Sequence, residues 1–230
     1  DIHVPHGNTG VAERIGQATR MAGLEPFCYG SYYNFKEVNP EGEGPSVEIE
    51  AVLDTANALG SERIRLWAGE MDFEDASQSY RQAVADRARE IGEMAERRGL
   101  AIDLEFHGKT LNNSPANSLK LLAEIDHANV HTLWQPALGI SFAERLEGLQ
   151  MLLPRVSNVH CFHWGPGGIH DRRPLAEGED DWRAYLEVLA PSGNPRWVSL
   201  EYVKDDSLES LTRDSQSLAQ LTGQMPIDES

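Results

Sequence analysis

Two hydrophobic periods take turns along the chain. Val11, Ile15, Ala18 and Ala22 share one helical face, and Gly23 closes it. Ile49, Val52, Leu53, Ala56 and Leu59 repeat the pattern in a helix opening at Pro45-Ser46 and stopped by Gly60. Tyr80 to Arg98 is the clearest helix. It turns Val84, Ala88, Ile91, Met94 and Ala95 inward, carries Arg97 and Arg98 in its last turn, and ends at Gly99. Ser114-Pro115 is an N-cap followed by Pro at the first helical position, ahead of Leu119, Leu122 and Ile125. Ser141 and Glu144 form a capping box before Leu146, Leu149 and Leu153. Trp182–Leu189 and Leu208–Leu221 complete the helices.

Short strand-like runs fill the gaps. They are the strand end in DIHVPH (residues 1–6), the aromatic-rich stretch Leu24–Phe35, RIRLWA (63–68) and LAIDLEFHGK (100–109). Val130–Gln135, VSNVHCFHW (156–164) and WVSLEYV (197–203) follow. Strand and helix thus alternate about seven times, which predicts a parallel sheet with crossover helices. The strands read as apolar on both faces, as parallel strands covered by helices must be. No linker divides the chain, so residues 1–230 read as one domain. An α/β (β/α)8 barrel typically takes ~250 residues. The expectation is such a barrel lacking its first strand, because the chain opens on Asp1, without Met, inside a strand-like stretch. A doubly wound open sheet would carry a Gly-rich phosphate loop after an early strand, and none is found.

Composition narrows the partners. With 40% hydrophobic and 25% charged residues the balance is that of an ordinary globular protein. The net charge of -17 argues against nucleic acid or an anionic membrane as partner, since both are bound through clustered Lys and Arg. No run approaches the length of a membrane span, and no signal peptide is visible. Cys28 and Cys161 read as buried free thiols in a reducing compartment, so a cytoplasmic location is expected.

The chemistry collects at strand ends. Glu105 and His107 close the run LAIDLEFHGK two residues apart, hence on one face of a strand. A carboxylate and an imidazole there must be satisfied by neighbours or hold a cation and a substrate. In barrel enzymes the reactive groups come from the C-terminal ends of several strands. Those ends here read His3 and His6; Tyr29, Tyr32 and Tyr33; Arg65 and Trp67; Glu105 and His107; Trp134 and Gln135; His160, His163 and Trp164; Glu201 and Tyr202. Two carboxylates, an amide and an imidazole can surround a divalent cation. Two Glu side chains also bring the acid and base that proton transfer needs. The bland readings stand beside these. Arg63 and Arg65 are available to pair a strand-end Glu. Trp67, Trp134 and Trp164 either stack on sugar C–H faces or fill the barrel top. His163 either meets a ligand or anchors a loop. His127, His131 and His170 read as surface or structural. Arg172 and Arg173, in the long Gly- and Pro-rich loop 165–178, are the candidates for a phosphate group.

At RIRLWAG, LAIDLEFHG, NVHTLWQP, NVHCFHW and LEYV the chain resembles the xylose isomerase-like TIM-barrel superfamily, the sugar phosphate isomerase/epimerase group, over most of its length. The resemblance implies one divalent metal ion (Mn2+, Mg2+, Co2+ or Zn2+) held by Glu105, Gln135, His160 and Glu201. Gln135 departs from the family's usual Asp; its amide oxygen can coordinate, but without charge. The resemblance further implies an isomerase or epimerase working on a small-molecule sugar or polyol, phosphorylated or not. One Glu removes the proton beside a carbonyl, an enediolate follows, and the proton returns to the neighbouring carbon or to the opposite face. His107 and Arg65 would hold substrate oxygens, with Trp67, Trp134, His163, Trp164, Tyr32 and His6 around them. Self-association is left open. Two other readings are kept: a non-catalytic carbohydrate-binding barrel, motivated by Gln135, and an endonuclease IV-like phosphodiesterase, which the short ligand list and the acidic charge disfavour.

Overall fold

A computed structural model of the chain describes residues 3–39, 47–190 and 196–223. It contains two compact units, residues 1–133 and 134–230.

The first unit alternates helix and strand: α1 (Thr9–Met21), β1 (Cys28–Gly30), α2 (Ile49–Leu59), β2 (Arg63–Leu66), α3 (Gln78–Glu96), β3 (Ala101–Glu105), α4 (Pro115–Ile125) and β4 (Val130–Trp134). The strands pair in parallel in chain order, with Cys28 opposite Arg63, Ile64 opposite Ile102 and Leu104 opposite Thr132. Ser77 and Ser114 cap α3 and α4 by accepting from Tyr80 N–H and Asn117 N–H, which satisfies donors the first helical turn leaves over. Gly60 ends α2 in the left-handed region (φ 81°). Gly16 is required by packing, because a Cβ there would lie 2.0 Å from the Leu59 carbonyl oxygen where α1 meets α2.

The strand faces differ from the expectation of apolar residues on both sides. Ile64, Leu66, Ile102 and Leu104 form one face and join the helices in the core. The other face of β2 and β3 carries Arg63, Arg65, Asp103 and Glu105. Asp103 and Glu105 are buried there and the two arginines half-buried, and the charges are paired. Arg63 grips Asp103 with two bonds, 2.7 Å from Nε and 2.6 Å from Nη2, and Arg65 Nη1 stands 3.1 Å from Glu105 Oε2. Burial works against the charge of Arg63, yet its pKa is raised, because the bonds to Asp103 outweigh the burial.

The second unit holds α5 (Phe142–Leu152), β5 (Val156–Cys161), a short antiparallel hairpin β6 (His163–Trp164) and β7 (Arg172–Arg173), then α6 (Glu179–Leu189), β8 (Trp197–Leu200) and α7 (Leu208–Leu221). β5 and β8 pair in parallel, His160 opposite Ser199. The capping box at Ser141 and Glu144 is formed as expected. The long loop is folded back on itself: Gly165 N–H donates to Asp171 O and Gly168 N–H to Gly165 O.

Several local expectations shift. Residues 3–8 are bend and turn rather than a strand end, with residues 1–2 outside the described range. The strand expected over Leu24–Phe35 shrinks to Cys28–Gly30. Beyond it the chain still bonds the end of β2, but irregularly, with Ser31 N–H on Arg65 O and Trp67 N–H on Tyr33 O. The opening of α2 at Pro45-Ser46 lies outside the described residues. Leu121, not Leu119, is a buried position of α4. No helix among the described residues is long and apolar enough to cross a membrane.

The ladder rung Arg63–Asp103 predicts a large single-site cost. Asp103→Asn strands a guanidinium whose side chain is only 20% exposed and should lower unfolding free energy by about 3 kcal/mol. The pair Arg63→Met/Asp103→Leu should recover most of that loss in urea unfolding. Equal destabilisation by the single and double variants would refute the pairing argument.

Candidate active site

In the first unit the ends of β2 and β3 build a tight polar and aromatic group. Glu105, 3% exposed, receives the Trp67 indole N–H at 2.5 Å, on the same Oε2 that faces Arg65. The Trp67 ring stacks on His107 with centroids 5.1 Å apart and 18° between planes. Tyr32 meets Trp67 edge-on at 5.6 Å, and the Arg65 guanidinium lies 4.8 Å from the centre of the Tyr32 ring. His107 Nδ1 donates to the Gly108 carbonyl at 2.5 Å, which fixes its tautomer. Five expected site residues, Arg65, Trp67, Glu105, His107 and Tyr32, are therefore gathered. His6 has a different partner: its Nδ1 lies 2.7 Å from the Tyr29 hydroxyl, which itself donates to Val4 O. Burial pushes the His6 pKa down and the Tyr29 pKa up to about 12.

In the second unit Gln135, His160 and Glu201 come together. His160 Nδ1 lies 3.2 Å from Gln135 Oε1 and 3.5 Å from Glu201 Oε2. Glu201 N–H donates to Cys161 O at 2.9 Å, extending the β5–β8 pairing by one residue and setting where the carboxylate starts. The donor set suits a divalent ion. Two ligand atoms each about 2.1 Å from one ion stand roughly 3.0–3.4 Å apart, close to both measured separations.

His163 and Trp164 lie just beyond β5, on β6. With Arg145, Asp181 and Tyr185 they line a crevice of about 20 Å³, room for one water-sized group. The His163 ring lies over Gly178, where a Cβ would come within 2.3 Å of Nδ1. Trp164 stacks on Phe162 at 4.0 Å.

Two expectations are corrected. Trp134 is 2% exposed and its ring meets Trp182 and Tyr185 edge-on, so of its two readings core filling holds, and the place beside a substrate that the resemblance implied does not. Arg172 and Arg173 are not a phosphate cradle: Arg172 binds Asp206 and the Ile169 carbonyl, and Arg173 binds Asp171. The Asp103 rung was missed. Its signal was present in the alternation of RIR against DLE. Arg145 and Tyr185, which line the crevice, read in sequence only as helix residues.

A family model for the xylose isomerase-like TIM barrel matches residues 4–221, and the chain belongs to that family. Among curated proteins, 3-dehydroshikimate dehydratase of Bacillus anthracis is 31% identical over 119 residues, a match that takes in 49% of this chain and 41% of that protein. Among solved structures, the probable 3-DHS dehydratase AsbF of Bacillus anthracis superposes with a TM-score of 0.75 at 22% identity, over 91% of this chain and 82% of that one. The 3-keto-D-glucoside 4-epimerase YcjR of E. coli gives 0.67 at 18% identity, over 94% and 85%. The IOLI protein with a bound zinc atom gives 0.69 at 15%, over 92% and 81%. These likenesses carry the TIM-barrel fold, as expected from the alternating strands and helices.

Burial lowers the pKa of His163, against the charges of Glu177 and Asp181 and in concert with those of Arg173 and Arg145. An unfolded imidazole titrates near ~6.5, so below that pH the unfolded chain binds more protons than the folded one. The contribution of a neutral His163 is therefore whole above about pH 6.5 and is lost as pH falls through its lower folded value. Urea midpoints should drop between about pH 7.5 and 5.5, and His163→Gln should flatten part of that slope. An unchanged slope would show that His163 does not titrate with unfolding.

Proposed function

We propose that the chain is a metal-dependent enzyme that moves a proton beside a carbonyl group of a polyhydroxylated substrate, as a sugar isomerase or epimerase. The observation that carries the reading is the convergence of Gln135 Oε1 and Glu201 Oε2 on His160 Nδ1 at 3.2 and 3.5 Å. Glu105, Gln135, His160 and Glu201 would hold one divalent ion, of which Mn2+, Mg2+, Co2+ and Zn2+ are the candidates. Two carboxylates against one divalent ion give a neutral set; an Asp in place of Gln135 would leave one negative charge. A bound ion would act as a Lewis acid on the substrate carbonyl and its neighbouring hydroxyl.

The chain's own residues supply the rest. Glu201 and Glu105 would be the two proton carriers, the acid and base that isomerisation or epimerisation needs. Trp67 and Arg65 orient Glu105. Arg65 offers N–H groups to substrate oxygens, His107 with its Nδ1–H given to Gly108 O offers Nε2 as an acceptor for a substrate hydroxyl, and the Trp67 and Tyr32 rings form walls for C–H faces. That one family model runs through residues 4–221 supports reading both units as a single barrel domain.

A second reading has its own support in the 31% identical dehydratase. Removal of the same proton can be followed by loss of the hydroxyl group one carbon further on, which takes up a proton from an acid and leaves as water as the new double bond forms, giving a dehydratase. The two outcomes share the first step and separate at the second.

Two carboxylate variants test the metal reading. Wild-type protein should bind Mn2+ or Co2+ in calorimetry, and Glu105→Gln and Glu201→Gln should each weaken binding at least about tenfold. Deuterium should enter a recovered ketose in heavy water, chelator should stop it, and either variant should slow it by roughly 10² or more. A new conjugated product from 3-dehydroshikimate would instead select the dehydratase. Sugar binding indifferent to chelator, without exchange, would overturn the enzyme reading in favour of a binding barrel.

A further inference from the structure

Glu201 is followed by Tyr202, an aromatic residue held at φ 53°. The left-handed region is costly for a bulky side chain and persists only where surroundings enforce it. Asp205 and Asp206 follow at φ 60° and 48°, so the segment leaving β8 turns through three such residues in five. Strain next to a site residue asks what holds it.

The answer lies in the β6–β7 hairpin. The Arg172 guanidinium covers the Tyr202 ring with its carbon 4.5 Å from the centroid. The same guanidinium reaches Asp206 Oδ1 at 2.5 Å through Nη1 and the Ile169 carbonyl at 3.1 Å through Nε. Trp164, paired with Arg172 across the hairpin, contacts the Tyr202 ring at 6.1 Å and stacks on Phe162 at 4.0 Å. Phe162, Trp164, Tyr202 and Arg172 thus form a continuous column from the end of β5, through the hairpin, to the residue after Glu201. Tyr202 is 46% exposed, so burial alone does not impose its conformation; the cation over its ring, itself anchored to Asp206, is a contact that can.

We propose that Arg172 is a positioning residue. By clamping Tyr202 in the left-handed conformation it fixes the direction of the preceding peptide and aims the Glu201 carboxylate at His160. This rests on the metal reading above, because the benefit of the aim is a preorganised ligand. The hairpin would then be part of the site's machinery without touching the reacting atoms, and the two loop arginines would have separate tasks: Arg172 on Tyr202, Arg173 on the loop's own Asp171.

Two readouts test it, one free of metal. In the apo protein the Glu201 amide, which donates to Cys161 O, should exchange with heavy water about tenfold faster in Arg172→Gln than in wild type. Arg172→Lys should fall between them, since it keeps a cation over the ring. Tyr202→Phe should behave as wild type. Arg173→Gln, which breaks the other hairpin ion pair, should leave the Glu201 amide unchanged. In calorimetry Arg172→Gln should weaken Mn2+ binding about tenfold as well. Exchange at Glu201 within about twofold of wild type in Arg172→Gln would overturn the proposal, as would faster exchange with unaltered Mn2+ affinity, which would reduce the column to a structural strap. If the wild-type protein binds no Mn2+, the metal reading fails by itself, and the positioning role falls with it even where the exchange arm confirms the clamp.

Discussion

Burying a carboxylate to 3% exposure is costly unless something answers its charge. In the first unit that answer is a two-rung ladder between neighbouring strands, Arg63 on Asp103 and Arg65 on Glu105. Each arginine on β2 reaches the acid two residues further along β3 than its nominal neighbour, since Arg63 is registered with Ala101 and Arg65 with Asp103. A slip of one residue would move the side chains of the slipped strand to the opposite face. Slipping β3 would turn Asp103 and Glu105 toward the helices and take Ile102 and Leu104 out of the core. The ladder therefore specifies register as well as solvating the charges. Well-packed apolar residues would serve stability as well or better, so a charged interior face is hard to explain by folding alone. Its upper rung ends on Glu105, where Trp67 adds a second donor to the oxygen Arg65 already faces.

Which parts of this were legible in the sequence follows from how local each cause is. Helix limits depend on residues within one turn, so Ser114, Ser141 and Gly60 mark them, and the structure uses each as a cap or stop. Strand faces depend on what the neighbouring strand brings. RIRL and AIDL are strands, but only the register pairs Arg63 with Asp103, and a reading of single runs took both faces as apolar. Leu24–Phe35 failed for a related reason: its aromatic residues have strand propensity, yet after Gly30 the backbone is bonded by Ser31 Oγ and by the turn beyond β2 rather than by a regular ladder. Propensity counts side chains, and the partner strand decides how many are used.

The site residues divide the same way. Glu105, Gln135, His160 and Glu201 stand out because a polar residue at the end of an apolar run is conspicuous, and the position along the run is a one-dimensional fact. Whether an aromatic ring shows a face is not. Trp134 sits at a strand end like Trp67, but Trp182 and Tyr185 of α6 close over it, while Trp67 becomes the donor to Glu105. The loop arginines are a further case. Two adjacent cations look like an anion site until the hairpin register sends Arg172 to Tyr202 and Asp206 and turns Arg173 back on Asp171.

The two carboxylates are secured by different means, and this bears on how the site tolerates change. Glu105 is gripped at its oxygen by the Trp67 indole, so its orientation is set at the tip of the side chain. Glu201 is set at its root: its N–H is tied to Cys161 O, and the next residue is locked in a conformation that Tyr would not choose. A grip at the tip limits the carboxylate directly, whereas a grip at the root leaves the side-chain torsions to be fixed by what the carboxylate meets, here His160 Nδ1 at 3.5 Å. Working sites need placement to about 0.5 Å. Glu105 is placed by a bond at its tip, and Glu201 by its backbone, with its side-chain torsions left to what the carboxylate meets.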